Sequence, residues 1–341
     1  MTERPVSVHF WTDRDVTGVD DWNPDAAPEL HPSGYGHTFL ELYARLRSQG
    51  RAVSIGPRAP RATTVLLASL EELTSWLPRC EPSLVRALAR SVLRTGAPLV
   101  VVRADVHPHI PAPPFTALEV RPTQAAVVDP TREAHLPLLP QRGLVPRDPG
   151  RGTRVETLVL KAYRKNVPEW VSNSFVAEVR ALGMTFELHT EESGTAGWED
   201  FRAVDVSLCS QPSDTLGDPA RKPATKLVKA WRAWSIPLVV PTLPYADIGR
   251  NGVDMLTAET PEQVLAVLGR LRIDTSFATN LFRSSAEAGR RYETDAVASV
   301  WWKHLAGARP VPRRIPAASL VREYAAALRR RLPRSPAVRG A

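Results

Sequence analysis

Apolar positions along the chain fall into two successive series. Val6-Ser7-Val8-His9-Phe10-Trp11 reads as a first strand, followed by a long polar loop over residues 12–32. Phe39, Leu40, Leu42, Tyr43 and Leu46 then recur at helical spacing up to Gly50, and Ala52-Val53-Ser54-Ile55 reads as the next strand. Residues 64–68 and 98–102 are continuous apolar runs, the pattern of parallel strands covered on both faces, and the spacing between them predicts a helix over 82–94. Leu118-Glu119-Val120 closes this series.

The composition shifts over residues 136–149, where four prolines mark an interdomain linker. A second series follows, with strands at 157–160, 185–188 and 204–208 and a helix over 175–182. Pro223 suits a first helical turn, and Ala224, Leu227, Val228, Trp231 and Trp234 continue it as one apolar stripe. A strand at 236–240, Met255-Leu256, a helix over 261–271 and further helix between Ala278 and Leu305 complete the pattern. Two α/β series in tandem predict two doubly wound Rossmann-like domains facing a cleft. The expected division is 1–140 for the first domain, 141–152 for the linker, 153–310 for the second domain and 311–341 for a terminal helix and basic tail.

Composition agrees with this picture. The 341 residues are 43% hydrophobic and 23% charged, which suits a soluble globular protein with two cores. There is no apolar run of about 18 residues and no signal-peptide order at Met1-Thr2-Glu3-Arg4-Pro5, so a cytoplasmic protein with no transmembrane segment is expected. Cys80 and Cys209 have no metal or redox spacing and read as buried thiols. A net charge of +8 suits polyanions and phosphate-bearing small molecules alike. No aromatic-and-glycine RNA motif, zinc spacing or basic helical stripe precedes the tail, so no stable nucleic-acid partner is expected. Arg329-Arg330-Arg331, Arg334 and Arg339 read as a solvated arm.

Lysine is scarce, with six among the 44 basic residues, and three of the six lie in Lys222-Pro223-Ala224-Thr225-Lys226-Leu227-Val228-Lys229. Arg221, Lys222 and Lys226 surround a helix start, where each cation opposes the macrodipole by roughly 0.3–1 kcal/mol. A bound anion reverses that sign, as helix starts that hold phosphate do. In doubly wound sheets ligands bind beyond the carboxyl ends of the strands, which directs attention to loops 12–35, 103–114, 161–168, 210–225 and 242–251.

The run from Lys222 to Trp231, the strand opened by Pro237, and Pro244-Tyr245 resemble a motif in the carboxyl-terminal domain of bacterial GT-B glycosyltransferases. Residues 139–149 with Arg151-Gly152 resemble the linker of that group, and Gly34-Tyr35-Gly36 its amino-terminal pattern. The resemblance implies a hexosyltransferase-type enzyme with a nucleotide-diphosphate sugar donor on the second domain and a small or medium-sized acceptor. It implies that Lys222, Thr225 and Lys226, with Lys161 and Arg164 from the side, hold the donor diphosphate, with no metal and no cofactor. Gly34, Tyr35, Gly36, His37 and Tyr245 would contact donor or acceptor. The chain departs from the retaining pattern, in which two glutamates seven residues apart flank the phosphate helix. Asp218 precedes the helix and Asp247 follows the next strand, and neither reproduces the pair. A nucleotide-sugar epimerase and a non-catalytic nucleotide-sugar-binding protein therefore stay open as alternatives.

Chemistry on the acceptor side points to Arg103-Ala104-Asp105-Val106-His107-Pro108-His109, which brings a cation, a carboxylate and two imidazoles to one strand end. Arg103, Asp105 and His109 are the candidate catalytic residues, with Asp105 or His109 taking the acceptor proton. Two histidines without a matched third ligand do not make a metal site. Asp13-Arg14-Asp15 resembles the metal-binding pair of GT-A enzymes but follows the first strand directly, and reads as a turn or an acceptor loop.

Overall fold

A computed structural model describes residues 5–28, 30, 35–75, 82–103, 106, 110–193, 197–211 and 222–308. The first domain contains β1 (Val8–Trp11), α1 (Glu41–Ser48), β2 (Val53–Gly56), β3 (Val65–Ser69), α2 (Leu70–Ser75), α3 (Pro82–Thr95), β4 (Leu99–Val102), β5 (Thr116–Arg121) and β6 (Glu133–His135). Its six strands run parallel in the order β2-β1-β3-β4-β5-β6. β1, β3 and β4 are buried throughout, because helices cover both faces of the sheet.

The two-residue period of β1 divides its side chains between two cores. Phe10 packs edge-on against Phe39 and Tyr43, at ring distances of 5.1 and 5.4 Å, while Trp11 joins Leu66, Val85, Leu88 and Val101 on the opposite face. β6 departs from the sequence expectation. Glu133-Ala134-His135 has no apolar run, and the strand is fixed at the sheet edge by its pairing with β5 and by the Arg121–Glu133 ion pair.

The second domain contains β7 (Thr157–Lys161), α4 (Asn173–Ala181), β8 (Thr185–His189), β9 (Val206–Cys209), α5 (Thr225–Arg232), β10 (Ile236–Val239), α6 (Leu243–Ile248), β11 (Leu256–Thr257), α7 (Pro261–Ile273) and α8 (Thr275–Arg290). Its sheet is also parallel, in the order β11-β10-β9-β7-β8. α5 lies close to α8 because position 289 is glycine. A Cβ on Gly289 would stand 2.6 Å from the Trp231 carbonyl oxygen. The last described helix, α9 (Thr294–Gly307), crosses back: Val297, Ala298, Trp301 and Leu305 are buried in the core of the first domain, and Trp301 donates its indole N–H to Pro137 O at 2.7 Å.

The connection between the sheets is tethered at both ends. Arg142 lies 3.4 Å from Glu41, 4.7 Å from the Trp22 ring centre and 3.0 Å from the Leu30 carbonyl, all on the first domain. Arg147 donates to the fully buried Asp205 of the second domain at 2.8 Å, where Arg151 and the amides of Glu156 and Thr157 also donate. Burial raises the Asp205 pKa, and these donors outweigh it and hold the carboxyl below its usual value.

Candidate functional site

A cleft of about 960 Å³ opens between the two sheets. Thr38, Glu71, Thr123 and His135 line it from the first domain, residues 137–143 form its floor, and α5 with the ends of β7 and β9 forms the opposite wall. It lies where the doubly wound topology places ligands, beyond strand carboxyl ends.

α5 enters this wall by its amino terminus. Leu227, Val228, Ala230 and Trp231 are buried, which turns Lys222, Thr225, Lys226 and Lys229 toward the cleft. Ala224 offers no side-chain cap, and the first turn carries no acidic residue. Val228 N–H bonds to Ala224 O at 3.1 Å, while the amides of Thr225, Lys226 and Leu227 have no acceptor among the described residues. Three donors without an acceptor thus stand at the positive end of the helix, and Thr225 and Lys226 of that turn line the cleft.

The cations beside them are held differently. Lys226 donates to the Ser210 carbonyl at 2.5 Å, and burial brings its pKa down to about 8, with Cys209 acting to raise it and Lys222 to lower it. The Lys161 ammonium donates to Gly197 O at 2.8 Å and to Asp200 O, and rests 4.3 Å from the Phe201 ring centre. Burial lowers its pKa too, against the carboxylates of Asp200, Glu199 and Glu187. Lys229 lies 5.5 Å from the same ring, and burial brings it to about 7, with Glu199 opposing that shift and Lys161 and Lys226 adding to it.

Four of the expected donor-site residues, Lys161, Lys222, Thr225 and Lys226, therefore meet on one wall. Arg164 does not line the cleft. It is exposed, and its amide donates to Glu191 at 2.7 Å. Tyr245 is a correction: it is fully buried among Trp231, Val239 and Met255, because the one-turn approach of α6 directs it into the core rather than toward ligand. Tyr35 is likewise buried, stacked on Phe39 at 5.0 Å with the Arg14 guanidinium 4.1 Å from its ring centre. Gly36 begins a π-helical turn over Gly36–Leu40 that also contains His37, and Gly34 lies outside the described residues.

On the acceptor side, Asp105 and His109 lie outside the described residues. Arg103 does not reach the cleft. Its side chain is buried against Glu119 and donates to the Ile110 carbonyl at 2.5 Å, so the guanidinium braces the loop after β4. His135 was not foreseen. It ends β6 at the cleft wall, with Nδ1 3.3 Å from Arg121 O, and burial pushes its pKa below the usual histidine value against the opposing charge of Asp247. Asp247 of α6 accepts the Ala125 N–H at 2.9 Å and so joins the two domains beside the cleft. Glu199 and Trp198 also line it, Glu199 accepting from the Gln141 amide of the connection. Among the described residues no group of three or more His, Cys, Asp and Glu is placed to hold a metal ion, and no helix is long and apolar enough to cross a membrane.

No protein-family model and no curated protein matches the chain. Solved structures do. Anabaena HepE in complex with UDP is 11% identical, with a TM-score of 0.50, and the match covers 89% of this chain and all of that one. AviGT4, a glycosyltransferase involved in avilamycin A biosynthesis, is 14% identical over 89% of this chain and 99% of that chain, with a TM-score of 0.47. A glycosyltransferase from Rickettsia africae is 8% identical over 89% and 98%, with a TM-score of 0.49. Two parallel sheets facing a cleft and the superposition on HepE together identify the fold of this chain as GT-B.

Proposed function

We propose that the chain is a glycosyltransferase that takes a sugar from a nucleotide-diphosphate donor and passes it to a small or medium-sized acceptor hydroxyl. The observation that carries this reading is the uncapped start of α5, whose first-turn amides have no acceptor among the described residues and whose lysines line the interdomain cleft. Amides of Thr225, Lys226 and Leu227, with Lys222, Lys226 and Lys161, would bind the diphosphate and stabilise the charge that develops as the bond from sugar to phosphate breaks. HepE, whose fold the chain shares, is in complex with UDP. That supports a nucleoside diphosphate as the leaving group.

Because fixed cations and amides supply the positive charge, transfer proceeds without a divalent metal and persists in EDTA. The acceptor sits against the first domain. A neutral imidazole is the form that accepts a proton, which makes His135 a proton acceptor alongside Asp105 and His109.

Thermal-shift and calorimetric titration with UDP, GDP and dTDP tests the reading. One of them stabilises the protein, and Lys226→Met, with cooperative melting retained, lowers its affinity by about tenfold or more. If none binds, the donor reading is wrong. If one binds and its sugar ester is neither hydrolysed nor transferred to any acceptor, the cleft binds nucleotide sugars without catalysis.

A further inference from the structure

The lysines on this wall are not equivalent. Lys226 is committed to a carbonyl oxygen at 2.5 Å, and Lys161 to the carbonyls of Gly197 and Asp200. Among the described residues the Lys229 ammonium has neither a hydrogen-bond acceptor nor an ion-pair partner, and it lies 5.5 Å from the Phe201 ring centre. Glu199 is the carboxylate that acts on it most strongly, yet it lies beyond salt-bridge distance and is engaged by the Gln141 amide. A half-buried ammonium beside Lys161 and Lys226 is costly without an anion.

The first-turn amides that would hold the diphosphate do not extend to Lys229. Lys229 is three residues beyond Lys226, about 4.5 Å further along the helix axis, where the backbone amides are already bonded within the helix. Two phosphates resting on the first-turn amides would therefore sit nearer Lys226 than Lys229 along that axis. We propose that Lys229, above Phe201 and flanked by Lys161, forms a second anion subsite that takes an acidic group of the ligand other than its two bridging phosphates. This inference rests on the donor reading and deepens it, since the substrate then carries an additional acid. Two sources share the chemistry: a carboxylate on the transferred sugar, or a phosphate ester on the ribose. Glu199, Lys161, Lys226 and Cys209 are the titratable groups facing Lys229, and its lowered pKa fits a site that gains a proton when an anion arrives.

The probes are UDP, UDP-glucose, UDP-glucuronate and UDP with a ribose 2′-phosphate, together with the matching guanosine series, titrated calorimetrically into the full chain at about pH 6.5, close to the lowered Lys229 value. One acidic ligand should bind about tenfold more tightly than its neutral counterpart. Lys229→Met should abolish that preference and leave the affinity for the free diphosphate within about threefold, while Lys229→Arg retains the preference. Which acidic arm gains identifies the source. The inference is overturned if neither acidic ligand gains, or if Lys229→Met weakens UDP or GDP as much as it weakens the acidic ligand. If no diphosphate binds at all, the donor reading falls and this subsite with it; diphosphate binding without an acidic preference overturns the subsite alone.

Discussion

Replacing Gly289 by alanine tests whether the wall of the cleft is held by close helix packing. The added Cβ would lie 2.6 Å from the Trp231 carbonyl oxygen, 2.8 Å from its carbon and 3.1 Å from Arg232 N, all of them backbone atoms of α5 that cannot rotate away. Either α8 or the end of α5 must shift by about half an ångström, and overpacking of this kind costs about 1–3 kcal/mol. A rigid obstacle puts Gly289→Ala in the upper part of that range. Alanine also returns about 1 kcal/mol through its helix propensity. The net expectation is a loss of about 1–2 kcal/mol, or roughly 2–8 °C in the melting of a domain of this size. Gly307→Ala, with nothing within 4 Å of the new Cβ, is the control and should melt unchanged or higher. Differential scanning calorimetry of both variants decides the matter. Because a displaced α5 carries its amino terminus with it, Gly289→Ala should also weaken nucleotide binding. If Gly289→Ala melts with Gly307→Ala, the close approach of α5 to α8 is not what positions the site.

Asp205→Ala removes a fully buried carboxylate bonded to Arg147, Arg151 and two amides, and should lower stability by about 3–5 kcal/mol in chemical denaturation, because two guanidinium groups lose their partner. In the wild type the depressed pKa of Asp205 means that its contribution is present above the unfolded carboxyl value near 4 and is lost as pH falls through the lower folded value. Lys226 at about 8 and Lys229 at about 7 have the opposite dependence: their charged forms are disfavoured by burial, so the free protein gains stability as pH rises above these values. Anion binding needs the ammonium form, so nucleotide affinity measured by calorimetry should fall by up to about tenfold per pH unit above pH 8, and a flat profile would refute the assignment. Asp247→Ala removes the acceptor of the Ala125 amide and should increase hydrogen exchange at residues 124–126, without lowering the melting temperature of the second domain.

The strands at the centres of both sheets were legible because burial on two faces demands uninterrupted apolar runs, as in Leu66-Leu67-Ala68 and Leu99-Val100-Val101. β6 was not, because an edge strand held by an ion pair needs no such run. The start of α5 could be read from Pro223 and the apolar stripe, and that stripe already implied that the lysines share the other side of the helix. What it did not contain was the difference between Lys226 and Lys229, which depends on where the Ser210 carbonyl and the Phe201 ring arrive from other elements. Glu199 and Trp198 come from a polar stretch that reads as loop, and it is positioned by backbone bonds between Val145 and residues 199 and 201. Tyr245 and Arg103 show the converse. Each sits beside a strand end, where a ligand-facing role is the natural reading, yet an apolar neighbourhood claims one and Glu119 the other.

The two walls of the cleft differ in a way that bears on how it works. Lys161, Lys222, Lys226 and Lys229 all lie on the second domain, whereas among the described residues the ionisable side chains of the first-domain wall are Glu71 and His135. The positive wall suits the group that departs with negative charge, and the wall with a carboxylate and an imidazole suits the partner that gives up a proton. The connection does not let the walls separate freely. Arg142 is anchored to Glu41 and Trp22 on one side and Arg147 to Asp205 on the other, both deeply buried, so the intervening residues act as a short tether at the cleft floor. Widening the cleft at its Asp247 side therefore breaks the exposed bond to Ala125 before it disturbs either arginine, since an exposed hydrogen bond is worth far less than a buried ion pair with additional donors. The exposed Asp247–Ala125 bond beside the cleft is thus a weaker link between the two walls than the buried arginine anchors of the tether.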